Sequence, residues 1–164
     1  MSGKDRSAKK RGQLLSDALR AVRGIRKAKT QDLAQALGLS VRGYQNFESG
    51  GGHLNIDHVL NFGAAIDCDP FGVLASVQIG RPEFAAYVAQ NKAMIAWLVA
   101  LQEFVESTGD AISLLETSTL LSAYRTMFKD LSAQALAAKA DTDAWLAQNA
   151  VRLDLPKPPD DETS

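Results

Sequence analysis

Residues 30–50, TQDLAQALGLSVRGYQNFESG, constrain the fold of this chain more than any other segment. Apolar side chains fall at Leu33, Ala34, Leu37, Leu39, Tyr44 and Phe47, a spacing that lets one short helix lie across the next with both inner faces dry. Thr30 is placed to cap the first helix, Gly38 to end it in the left-handed region, and Ser40 to cap a second helix running to Glu48. Polar side chains are left on the outer face of that second helix.

The flanking sequence continues the helical pattern. Residues 1–12 carry almost nothing apolar and predict a mobile basic arm. From Leu14 a stripe of Leu14, Leu15, Ala18, Leu19, Val22 and Ile25 faces a core, with Arg20, Arg23, Arg26 and Lys27 around it. Gly50, Gly51 and Gly52 stop the helix after Glu48, and Asn55 caps a further one carrying Val59, Leu60, Phe62, Ala65 and Ile66. Pro70 then opens a short helix through Val73, Leu74 and Val77. Gly80 to Pro82 reads as a domain boundary, closing a five-helix domain over 13–79. No β alternation of useful length occurs, so the expected class is all-α.

Beyond the boundary, Phe84, Val88, Met94, Ile95, Trp97, Leu98, Leu101, Phe104 and Val105 form a wide apolar stripe at helical spacing, ending near Thr108-Gly109. Leu114, Leu121 and Phe128 then recur at intervals of seven, with Tyr124 and Leu131 each three residues after the last two, close to a heptad seam. Residues 82–150 are therefore expected to form a second helical domain, for dimerisation or sensing. Residues 151–164 read as an acidic, proline-rich tail.

Charge and cysteine usage narrow the function classes. Residues 1–50 hold 11 Lys/Arg against 4 Asp/Glu, net +7, and residues 51–164 hold 7 against 15, net −8. Such asymmetry points to a polyanion at the basic end. A single cysteine, Cys68, excludes an intramolecular disulfide framework and a cysteine-built zinc site, and its apolar surroundings mark it as a small core residue. The longest apolar run, residues 94–101, is far short of the roughly 20 residues of a membrane span, and the charged N-terminus is unlike a signal peptide. A cytoplasmic, nucleoid-associated protein is expected. The glycine run before His53 follows no strand and precedes no Gly-Lys-Ser/Thr, so it is read as a helix stop rather than a phosphate loop. His53, Asp57 and His58 lack the further His or Cys of a metal site, and no catalytic constellation is present. The expectation is a non-enzyme with no metal and no cofactor.

Residues 14 to about 77 resemble the Cro and phage-repressor type of helix-turn-helix, the XRE family. The resemblance rests on Leu33-Ala34, Gly38-Leu39-Ser40, Tyr44, Phe47-Glu48 and Gly50, then Leu60, Phe62, Ala65-Ile66 and Cys68, in that order. It implies that residues 30–37 position, and residues 40–49 enter the major groove of double-stranded DNA. Val41, Arg42, Gln45 and Asn46 then lie nearest base edges, with Ser40 and Tyr44 on the same DNA-binding surface. Lys29, Thr30 and Gln31 are the implied phosphate contacts. Arg23 and Glu48 fall on the positions of a partly buried ion pair, the loss of which costs roughly 3–5 kcal/mol when such a pair is fully buried. The chain departs from the family at Thr30, where relatives carry glutamine, at the glycine loop 51–53, where they place Lys or Arg, and at Gly63, where they carry alanine. The basic arm, with Lys4, Arg6, Lys9, Lys10 and Arg11, offers a compensating backbone contact.

The second half carries no such resemblance. Trp97, Leu101, Phe104, Leu121 and Phe128 are the expected homodimer contacts, because two or three helices of this length bury little alone. A dimer would set two recognition helices on DNA half-sites about 34–36 Å apart. The expected function is a dimeric, sequence-specific transcriptional repressor, with a small-molecule or protein effector acting at the second domain. The alternative is an antitoxin or adaptor whose C-terminal helices restrain a partner protein while DNA binding serves autoregulation.

Overall fold

A computed structural model describes residues 3–51 and 54–150. These residues are all-helical, with no strand among them. They form two compact units that divide between Ser107 and Thr108.

The first unit is built on α1, Gly3–Arg26. Its stripe buries Leu15, Ala18, Leu19 and Val22, but Ile25, in the last turn, is half exposed. The expected mobile arm is, from Gly3 onward, the start of this helix. Ala8, Lys9, Lys10, Arg11 and Gln13 are all good helix formers, and residues so placed extend a nucleus that tertiary packing has already formed. Met1 and Ser2 lie outside the described residues, as does the predicted acidic tail.

Two short helices follow, α2 (Thr30–Ala36) and α3 (Val41–Glu48). Between them Gly38 takes φ +66° and the Leu39 amide donates back to the Ala34 carbonyl at 2.8 Å, a left-handed stop that only glycine adopts without strain. Ser40 caps α3 by accepting from the Gly43 amide at 3.0 Å. Thr30 does not cap α2. Lys29 occupies the N-cap, with no side-chain bond, and Thr30 is the first helical residue.

After α3, Gly50 takes φ +72° and meets α1 backbone to backbone. A Cβ on Gly12 would lie 2.6 Å from the Gly50 carbonyl oxygen, and one on Gly50 would overlap the Gly12 carbonyl. The glycines thus serve a close helix crossing as well as a helix stop. Gly52 and His53 lie outside the described residues. Asn55 caps α4 (Ile56–Ala65) by accepting from the His58 amide, and Asp69 caps α5 (Pro70–Ile79), with Pro70 in its first turn. Gly63 is explained by Pro70: a Cβ there would come within 2.8 Å of the proline ring.

The expected boundary at Gly80–Pro82 is overturned. Gly80 does end α5 in the left-handed region, but α6 (Glu83–Tyr87) turns back onto α1 and α5, and Ala85, Val88 and Ala89 are buried. Ala85 and Ala89 join the same core as Leu19, Tyr44 and Phe62. A proline starts a helix equally well inside a domain as between two. The apolar stripe assigned to one second-domain helix is accordingly split, with Val88 in the first core and Trp97 on α7 (Ala93–Thr108), no residue of which is buried.

The second unit contains a 3₁₀ helix (Gly109–Leu114) and α8 (Thr117–Ala150), a single 34-residue helix. Leu114, expected in the heptad seam, is not in α8 and is largely exposed; the seam starts with the helix itself.

Candidate nucleic-acid interface

The α3 helix has two faces of different chemistry, set by its sequence periodicity. Tyr44, Phe47 and Glu48 are buried, whereas Val41, Arg42, Gln45 and Asn46 are exposed. Positions i, i+1, i+4 and i+5 share one side of a helix, so these four form a continuous outward strip. It offers one guanidinium, two carboxamides and an apolar cap, a set able to meet both donors and acceptors on a base edge.

Tyr44 does not belong to that strip. Its ring is fully buried and its hydroxyl donates to Glu48 Oε1 at 3.0 Å. It sits three residues before Phe47, on the inner face, and their rings meet edge to face with centroids 6.1 Å apart. Burial, reinforced by the Glu48 carboxylate, pushes its phenol well above the ordinary value. Ser40 is exposed, with its oxygen committed to capping α3.

The inner face of α3 is tied to α1 and α2 through Arg23. Its Nε lies 2.6 Å from Glu48 Oε1, and its Nη1 donates to Thr30 Oγ1 at 3.3 Å. The approach of Nε to the carboxylate is out of line for a hydrogen bond, so the contact is ionic. Arg23 and Glu48 thus form the expected ion pair, with 30% and 10% of their side chains exposed. One guanidinium joins the end of α1, the start of α2 and the end of α3. That link draws Thr30 inward to a half-buried position, while Lys29 and Gln31 beside it are exposed. Of the three expected phosphate contacts, Thr30 is the one with an internal structural role.

Cations continue along α1: Lys9, Lys10, Arg11 and Arg20 are exposed. Their presentation on a helix replaces the flexible arm expected at this end.

Two features escaped the sequence reading. Asp69 is fully buried and serves two helices, Oδ1 accepting from Gly72 N at 3.1 Å, and Oδ2 from Met94 N at 2.7 Å and Ile95 N at 3.3 Å. The Asp-Pro pair signals the first cap; nothing in the sequence signals the second. Asp67, at φ +51°, accepts from Lys92 Nζ at 2.5 Å, which holds its carboxyl below the usual range, and its carbonyl accepts from Arg26 at 2.6 Å. These contacts fasten the α4–α5 turn to the end of α1 and the start of α7. Cys68 between them is buried as expected, and burial pushes its thiol up to about 11.

Among the described residues no cluster of His, Cys, Asp and Glu could hold a metal. His58 packs edge-on against Phe47 at 5.5 Å, and His53 lies outside the described residues. No described helix is long and apolar enough to cross a membrane. The expected homodimer contacts are accessible to differing degrees: Trp97, Leu121 and Phe128 are exposed, and Leu101 and Phe104 half-buried.

Comparison with known proteins finds no match to a family model, to a curated protein or to a solved structure.

Proposed function

We propose that this chain is a sequence-specific DNA-binding regulator of the Cro and phage-repressor kind, in which α2 and α3 form the helix-turn-helix and α3 enters the major groove. The observation that carries this reading is the strip Val41, Arg42, Gln45 and Asn46, exposed on a helix whose opposite face is fixed by Tyr44, Phe47 and the Arg23–Glu48 pair. Base reading requires side chains held in register by a rigid support, and that support is present here. Arg42 suits guanine, Gln45 or Asn46 adenine, and Val41 a thymine methyl. Lys29 and Gln31 contact phosphates beside the groove, and Lys9, Lys10 and Arg11 add a salt-dependent backbone term. Repression by a homodimer, joined through the C-terminal helices and spanning two half-sites, is the biological form proposed.

Selection from a random duplex pool tests the reading. The wild-type chain should enrich one sequence, and Arg42→Ala/Asn46→Ala should lose that enrichment by 30-fold or more, on the order of two contacts at about 1–3 kcal/mol each. No enrichment by the wild-type chain, or equal enrichment by the double variant, refutes it.

A further inference from the structure

We propose that α8 pairs with α8 of a second copy as an antiparallel coiled coil. This deepens the homodimer invoked above and does not depend on DNA being the ligand.

Within α8 the positions Leu121, Tyr124, Phe128, Leu131, Ala135, Ala138, Thr142 and Trp145 follow one another at alternating intervals of three and four, a seam sustained through an uninterrupted 34-residue helix. The seam itself runs from residue 121 to residue 145, about three and a half heptads, longer than the seam visible from residues 114–131 and enough for a stable pairing. All eight positions are exposed, Phe128 by 58% and Trp145 by 63%. A helix of this length with an apolar seam open to water gains most of its stability by covering it.

The distribution of side-chain size along the seam selects both the occupant and its direction. The separation of two helix axes, 8–10 Å, follows the side chains at each layer. Parallel pairing in register would stack Phe128 on Phe128 and Trp145 on Trp145, holding the axes apart, but Ala135 on Ala135 and Ala138 on Ala138, needing them close. Antiparallel pairing about a two-fold at residue 133 sets Phe128 against Ala138, Leu131 against Ala135, Tyr124 against Thr142 and Leu121 against Trp145. Three of these four layers combine one large with one small residue, and the aromatic of the fourth lies at the ends of the pair. The seam is therefore complementary to itself run backwards, which a second copy supplies without any other partner. The flanks are compatible: Gln134 meets Gln134 and Ser132 meets Ser132 across the two-fold. Arg125 faces Lys139, both exposed, and Asp143 one turn from Lys139 offsets that repulsion.

The full chain carrying Thr119→Cys or, separately, Ala133→Cys is spin-labelled and its inter-copy distance measured by pulsed electron resonance. Cys68 is 4% exposed, so native labelling goes to the introduced thiol. Both substituted positions lie on the exposed face away from the seam. Antiparallel pairing separates the Thr119→Cys labels by roughly 40 Å along the axis, at 1.5 Å per residue, and sets the Ala133→Cys labels level with one another on the outer faces of the pair, so the Ala133→Cys distance is the shorter of the two. Equal distances at the two positions indicate a parallel pair and overturn the proposal. So does a monomer at 50 µM by sedimentation, or a long distance at both positions. Phe128→Asp should lower the dimer affinity at least 10-fold with helical content retained; an unchanged dimer refutes the seam. A dimer that meets these distances but enriches no duplex sequence would leave this pairing standing and remove the DNA-binding reading alone.

Discussion

Replacing Glu48 by alanine should destabilise the chain by about 2 kcal/mol, less than the 3–5 kcal/mol of a fully buried pair. The Tyr44 hydroxyl, on a fully buried residue, donates to Glu48 Oε1 and would be left without its acceptor, at a cost of about 1–3 kcal/mol. Arg23 loses its carboxylate, but its side chain is 30% exposed and keeps Thr30 as an acceptor, so its share resembles that of a surface pair, about 0–1 kcal/mol. Relief of an acidic residue in the last turn of α3 returns about 0.3–1 kcal/mol. Equilibrium urea unfolding, with the slope m unchanged, measures the total. Adding Tyr44→Phe removes the stranded donor, so the double variant should be about 1 kcal/mol more stable than the sum of the single losses implies. A single-variant loss under about 1 kcal/mol, or strict additivity in the cycle, would refute the view that Glu48 supports the base-reading strip from beneath. If the strip is so supported, Glu48→Ala also weakens duplex binding although it touches no DNA.

Asp69→Ala should cost about 2–4 kcal/mol, because three backbone amides lose their acceptor, and amide exchange at Met94 and Ile95 should quicken together with that at Gly72; faster exchange at Gly72 alone would show that Asp69 does not hold α7. Gly50→Ala should cost at least about 1 kcal/mol more than Gly38→Ala, since both residues have positive φ but only at Gly50 would the added Cβ overlap another helix's backbone; equal losses in thermal or denaturant unfolding would remove the close crossing. The Cys68 thiol should resist alkylation at pH 8 in the folded chain and react readily in urea, and labelling at the free-thiol rate would contradict its burial. Because the fold raises that thiol from its ordinary 9.0 to about 11, the folded state holds its proton more tightly; stability is intact below pH 9 and falls as pH rises toward 11, with Tyr44 acting in the same direction above 10. A melting temperature flat across that range would count against the shift.

Much of the first unit was legible from residue spacing. The stripe on α1, the turn at Gly38, the Ser40, Asn55 and Pro70 helix starts, and the outward strip on α3 each follow from local periodicity or from a conformational preference of one residue. The Arg23–Glu48 pair was legible only through the family resemblance. Thr30 was misplaced because capping preference is local, whereas a guanidinium from another helix decides where that hydroxyl points. Tyr44 was placed on two surfaces at once, since an amphipathic side chain fits either, and only the position of Glu48 and the core distinguishes them. Ala85, Val88 and Ala89 were given to the wrong domain because Gly80 and Pro82 punctuate a chain identically at a turn within a core and at a boundary.

By itself, then, the sequence determined that this chain is helical, where most helices start and stop, which side of α3 is polar, and that its cations gather toward one end. Those properties depend on neighbours within a few residues, through periodicity, capping and charge. The tertiary structure alone decided that α6 completes the first core, that Asp69 reaches the amide of Met94, 25 residues on, to cap a second helix, and that Gly12 and Gly50 must both lack a side chain. These depend on which backbone groups meet after folding, and a buried donor or a touching backbone leaves no periodic trace in the residues that satisfy it.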